Sequence, residues 1–289
     1  MLKLSLYTFL ISLLCTTNFS CISSKQNKGF VAASNTETVI DFTTAKSLLV
    51  IPVKLNGETK SFILDNGADL TAINRQKIIG NSSNVSGADG KSALVGKETI
   101  NSMKIGEMEF KDTYALNSNF TSIEKEIPNF GGLIGQSVLA KANWLIDYPN
   151  KKLTITTKEI NTAGFEIIKT KNIRSPFIFF EFEGKMYKAF VDLGSTTALS
   201  VKENTELAQL LKTKFSFKEE SKITTTISGT ATTQIKRSET KGIKIGSIVF
   251  DDVNTILVKA SSHDIRIGMD FFKNHQLYLD YTNKVFKIK

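Results

Sequence analysis

Short apolar runs, each closed by glycine or a polar pair, succeed one another from residue 39 to the end of the chain. Such runs bounded by turn residues read as strands. In the first half they predict strands over residues 47–55 and 59–64, joined at Asn56-Gly57, the strongest short hairpin signal a sequence offers. A short turn or helix is expected over 70–79, and a glycine-containing segment over 85–96. Strands over 98–105 and 108–116 follow, then a loop at 128–132, a short helix or turn at 136–140, and strands at 144–147 and 153–157. After a junction at 161–164, the second half predicts strands over 177–182 and 186–192, Ser/Thr-rich hairpins over 222–236, and strands near Ile243, Ile248 and Ile256. It closes with a short helix or turn at 268–273 and strands at 277–280 and 285–288. Residues 203–212 form the single moderate helix candidate. Many short strands with turns between them imply an all-β architecture.

The two halves repeat one another. Ser61-Phe62-Ile63-Leu64-Asp65-Asn66-Gly67-Ala68 matches Lys188-Ala189-Phe190-Val191-Asp192-Leu193-Gly194-Ser195: an apolar run enters an aspartate, and glycine follows two residues later. Asn56-Gly57 and Glu183-Gly184 precede the two aspartates at the same distance. Lys104-Ile105-Gly106 matches Lys244-Ile245-Gly246. Leu133-Ile134-Gly135 through Asp147-Tyr148-Pro149-Asn150-Lys151 matches Arg266-Ile267-Gly268 through Asp280-Tyr281-Thr282-Asn283-Lys284. Matched blocks separated by loops of unequal length are the signature of a duplicated domain. The expected division is a leader at 1–20, a flexible tether at 21–37, and lobes at 38–160 and 161–289.

Lys3 followed by an apolar stretch from Leu4 to Cys15 describes an export signal, because a membrane span needs about 20 apolar residues. Cys21 after Ser20 is the candidate lipidation site, with a plain secretory signal as the alternative. The expected setting is therefore a membrane-anchored bacterial lipoprotein in the periplasm or at the cell surface. No cysteine falls inside either lobe, so neither holds a disulfide. Four prolines among 289 residues and an ordinary apolar share, enough for a core in each lobe, argue against a disordered chain. The net charge of +9 comes from scattered lysines with no dense basic run, which reads as a solvated surface and gives no reason to expect nucleic acid.

Catalytic groups are few. His263 and His275 are the only histidines, placed in a loop and a closing turn, and no ligand spacing suggests a metal. No cofactor is expected. Two carboxylates brought to about 3 Å of one another cannot both ionise cheaply, so they hold one proton between them and titrate as a pair. The ionised member can take a proton from an attacking water while the protonated member polarises a peptide carbonyl. Asp65 and Asp192 are the candidates; Asp69 beside the first loop reads as solvated, and Asp147 and Asp280 as structural. Trp144 and the run 177–182 read as core.

The ordered set of blocks resembles the retropepsin-like aspartic protease family, and its tandem occurrence resembles the pepsin-like pairing of two β-barrel lobes in one chain. The resemblance covers residues 39–289. It implies two lobes related by a pseudo-two-fold axis and a monomer with a cleft that binds peptide or unfolded protein by strand addition. It also implies a catalytic pair, Asp65 and Asp192, supported by Asn66, Gly67, Ala68, Leu193, Gly194 and Ser195. Flap tips are expected at Gly87, Asp89 and Gly90 in the first lobe and at Ser228, Gly229 and Thr230 in the second. The chain departs from the family at Asn66 and Leu193, where Thr or Ser normally locks the two loops together. Asn66 retains a donor and an acceptor, whereas Leu193 has neither, so backbone bonds or apolar contact must brace the loops. Ser195 is placed to bond the outer oxygen of Asp192. An exported aspartic endopeptidase is the leading reading. The alternatives are a pseudoprotease or peptide-binding lipoprotein that keeps the cleft without catalysis, and a purely structural β lipoprotein.

Overall fold

The structure is a computed structural model, described here over residues 27–33, 36–86, 92–168, 170, 176–226 and 229–289. Cys21, Gly87, Asp89, Gly90 and Ser228 lie outside the described residues.

Each lobe is built on a nine-stranded sheet, and the two sheets share one wiring. In the first, Glu58–Leu64 runs parallel to Phe130–Ile134, which pairs antiparallel with Thr71–Asn74, itself parallel to Met108–Ser118. In the second, Lys185–Asp192 runs parallel to Ile265–Gly268, which pairs antiparallel with Leu199–Lys202, itself parallel to Val253–Val258. The registers agree as well, with Leu64 opposite Ile134 and Val191 opposite Ile267. Each aspartate-bearing strand begins at a tight hairpin. Asn56 and Gly57 have φ of 51° and 89°, and Glu183 and Gly184 have 51° and 74°, the doubly left-handed turn whose twist suits a two-residue hairpin.

A third, six-stranded sheet joins the lobes. Its order is Glu166–Ile168, Val285–Ile288, Gln276–Asp280, Asn143–Asp147, Lys152–Thr156 and Glu37–Asp41, so equivalent strands occur in the same order from either edge. At its centre Trp144 pairs with Leu279 and Asp147 with Gln276. The core expected separately in each lobe is instead one continuous apolar cluster that passes through this sheet, from Phe62 and Leu64 past Trp144 to Val191, Leu193 and Phe272. A smaller cluster around Phe120 and Phe130 belongs to the first lobe alone. Trp144 is fully buried, stacks on Phe110 and donates its indole N–H to Leu139 O at 2.8 Å. The helix expected at 203–212 lies at Glu206–Lys214, where the Thr205 side chain caps the N–H of Ala208.

Three expectations are corrected. The segment read as a turn or helix at 70–79 contains the strand Thr71–Asn74, and the loop at 128–132 leads into the strand Phe130–Ile134. Both are short, and their strand conformation comes from pairing with each other and with sequence-distant neighbours, which local composition does not report. Within the expected tether, Phe30–Val31 pairs with Lys111 and Phe110, so this stretch is docked on the first lobe.

Candidate active site

The two Asp-x-Gly loops meet where the lobes join. Asp65 follows the last residue of its strand, with its N–H bonded to Ile134 O, and its Oδ1 accepts from the N–H groups of Gly67 at 2.9 Å and Ala68 at 3.1 Å. Asp192 Oδ1 accepts from Gly194 N–H at 3.1 Å. The Ile-Gly turns hold these loops in the same way in both lobes: Gln136 N–H donates to Ala68 O, and Met269 N–H to Ser195 O. The second repeated block is thus the clamp of the first.

The spacing of aspartate and glycine has a steric cause. A Cβ on Gly194 would stand 2.4 Å from the carboxyl carbon of Asp65, and one on Gly67 would stand 2.8 Å from Asp192 Oδ1 and 3.2 Å from Asp65 Oδ1. Each carboxylate therefore rests against the glycine of the opposite loop, with no room for a carbon atom at that glycine. Any side chain there would push the pair apart.

The missing hydroxyl at Leu193 is replaced by one amide. Asn66, fully buried, donates from Nδ2 to Val191 O at 3.2 Å and accepts Leu193 N–H at its Oδ1 at 2.6 Å. The bracing expected from backbone or apolar contact is thus supplied mainly by a side chain of the first lobe, reaching the residues on either side of Asp192. Leu193 itself packs into the apolar core. Gln136 Nε2 holds Asn66 O at 2.7 Å, and Tyr281 of the second lobe donates to Gln136 Oε1 at 3.0 Å, so the brace is itself supported from both lobes. Ser47 Oγ adds a further tie to Thr196 O in the second loop.

The expected bond from Ser195 to Asp192 is not made; Ser195 Oγ accepts the N–H of Thr197, and the outer oxygen of Asp192 instead lies 3.4 Å from Arg266 Nη1. Arg266, Gln136 and Lys222 are site residues that the sequence reading missed. The signal for Arg266 was present, because a charge replaces Leu133 at the matched position in an otherwise apolar strand. Lys222, on the strand Lys218–Thr226, bonds Thr197 Oγ1 at 2.5 Å, and nothing local in the sequence marks it. Of the flap candidates, Gly229 begins the strand Gly229–Thr240 and Thr230 pairs with Thr225 in the hairpin that carries Lys222.

Burial and the neighbouring Asp192 charge push Asp65 up to about 7, against the pull of the Gly67 and Ala68 amides. Asp192 is also raised by burial, opposed by the Arg266 guanidinium and the Gly194 amide. Held together, the two carboxyls titrate as a pair, and the Arg266 guanidinium favours negative charge on the Asp192 side. His263 stacks on Phe190 with ring centroids 4.1 Å apart, and His275 lies against Phe250 at 4.7 Å; burial lowers both. Asp147 and Asp280 accept side-chain bonds from Gln276 and Asn150, and from Asn283 and Lys287, within the joining sheet and its turns. Asp69 is exposed.

Comparison with known proteins agrees with this architecture. Residues 179–271 match the aspartyl protease family model. The crystal structure of the aspartic proteinase from Irpex lacteus superposes on 87% of this chain and 96% of its own, with a TM-score of 0.55 at 12% identity. A comparison with curated proteins found no match.

Proposed function

With the two-lobed aspartic proteinase fold established and the second lobe matching the aspartyl protease family, we propose that this protein is an aspartic endopeptidase in which Asp65 and Asp192 activate water. The observation that carries the reading is the mutual placement of each carboxylate against the other loop's glycine. Ionised Asp192 takes a proton from the attacking water as its oxygen bonds to the peptide carbonyl carbon, and Asp65 gives its proton to the carbonyl oxygen. The resulting gem-diol collapses when Asp192 returns a proton to the leaving nitrogen and Asp65 recovers one from a diol hydroxyl, so the pair ends as it began. The Asn66 brace removes the reason for reading the cleft as inactive, because both polar groups beside Asp192 are satisfied and the loop is fixed.

The test uses an unfolded protein substrate between about pH 4 and 7, where a coupled carboxyl pair shares its proton. Asp65→Asn and Asp192→Asn are each expected to abolish cleavage while keeping the wild-type circular dichroism spectrum. Wild-type rates in both variants, with contaminating proteases excluded, sink the mechanism.

We also propose, from the leader sequence alone, that the chain is exported and held at a membrane by lipid on Cys21. No helix among the described residues is long and apolar enough to cross a membrane. Cys21→Ser is expected to move the protein from membrane to soluble fractions with its lobes folded; unchanged retention means another attachment.

A further inference from the structure

The two halves of the cleft floor differ in charge. In the second lobe, Ile265 and Ile267 turn into the core, so strand alternation sends Arg266 between them to the opposite face, against Asp192. Its Nη2 donates to Ser262 Oγ at 3.0 Å, but its Nε is buried with no partner. Lys222 enters from the neighbouring hairpin and bonds only the Thr197 hydroxyl, on the loop that follows Asp192; among the described residues it has no carboxylate partner. Arg237, next along the same hairpin, is already taken by Glu220 at 2.8 Å and Asn254 at 2.5 Å. His263 stacks on Phe190, Lys188 lies over Phe177 at 4.1 Å, and Asp264 pairs with Lys202, so none of these offers a counter-charge. Arg266 has Asp192 beside it, 3.4 Å away, whereas Lys222 bonds no anion among the described residues. Burial with Arg237 and Arg266 nearby pushes the Lys222 ammonium down to about 8, the mark of a cation lacking its anion.

We propose that Lys222 and Arg266 form a subsite for a substrate carboxylate over the C-terminal half of the cleft, so that the enzyme prefers peptides with an acidic group beside the cleaved bond. This rests on the reading of the cleft as a peptide site. An incoming carboxylate would supply the missing anion to Lys222 and an acceptor to the guanidinium, and the N-terminal half offers no such pair, because Leu133 stands where Arg266 does. The carboxylate can belong to an Asp or Glu side chain or to a peptide C-terminus.

The experiment is cleavage-site profiling on a charge-balanced pool of unfolded peptides, read by mass spectrometry, followed by kcat/KM for matched Glu and Gln peptides. Wild type is expected to favour Glu over Gln by about tenfold, the scale of one hydrogen bond to a charged group. Lys222→Met should bring that ratio near one, and Lys222→Glu should turn preference toward Lys, whereas a purely structural role for Lys222 lowers both rates and leaves the ratio intact. C-terminal amidation of the peptides separates the two sources: loss of preference on amidation assigns the subsite to a chain terminus, and persistence assigns it to a side chain. If wild type cleaves nothing, the protease reading fails on its own, and the subsite is judged by peptides retained on immobilised wild type. Enrichment in Asp and Glu there supports it. Equal use of Glu and Gln, an unselective retained set, or no retention overturns it.

Discussion

The two lobes share a backbone plan and differ in what they place on it. Their sheets have the same wiring and register, and each offers an aspartate against the other's glycine. Among the matched positions where the side chains diverge are Asn66 against Leu193, Ala68 against Ser195, and Leu133 against Arg266. The first lobe supplies the polar brace and the aspartate whose Oδ1 takes two loop amides. The second contributes an apolar plug at Leu193 and the Arg266 cation beside its aspartate. A duplicated fold thus needs only one copy of each device, provided that the device reaches across the junction.

The largest effect that breaks this pairing is expected at the glycines. Gly194→Ala puts a methyl group 2.4 to 2.7 Å from three atoms of Asp65, whereas Gly67→Ala meets Asp192 Oδ1 at 2.8 Å. Both should lose most cleavage activity, Gly194→Ala the more severely, with a stability cost of about 1–3 kcal/mol for the overpacking. Matched activity and urea-unfolding measurements check the order; equal tolerance of both alanines means that the carboxylates do not meet as described.

The brace should be the next most sensitive point. Asn66→Ala strands the buried Leu193 N–H and Val191 carbonyl, at about 1–3 kcal/mol for each group left unsatisfied. Leu193→Thr, by contrast, is not expected to improve the brace, because both bonds beside Asp192 are already made and the leucine side chain is buried. Urea midpoints for the two variants sharpen the comparison. A larger loss at Leu193 with Asn66→Ala neutral assigns the junction to apolar packing instead.

A further expected effect is a pH slope. Asp65 keeps its proton in the folded protein up to about 7, while its ordinary value is 3.8. Between these values the folded state binds the extra proton, so stability is greatest at the acid end and falls as pH rises toward 7; Asp192, raised in the same direction, adds to the slope. Asp65→Asn should flatten it, gaining at neutral pH relative to wild type. Urea midpoints at pH 4.5 and 7.5 measure the change, and an unchanged slope places the proton elsewhere.

Much of this was legible in the chain itself. The paired Asp-x-Gly runs, the Asn56-Gly57 hairpin and the matched Ile-Gly and Asp-Tyr blocks specify two β lobes, because alternation, turn chemistry and repetition are local properties that a single chain displays. Thr71–Asn74 and Phe130–Ile134 were not legible, since each becomes a strand only by filling a place between partners remote in sequence. For the site, the aspartates and the need for glycine two residues later could be read, but not why glycine is needed, which is the other lobe's carboxylate. The Leu193 deficit could be read, whereas its remedy lies 127 residues away in Asn66. Arg266 announced itself as an exception in the repeat, yet only the meeting of strand and loop shows that it faces Asp192, and Lys222 joins it through a hairpin with no mark in its own sequence. Local pattern decides which elements form; the contacts that brace and charge the site are made between elements, and tertiary packing alone brings those together.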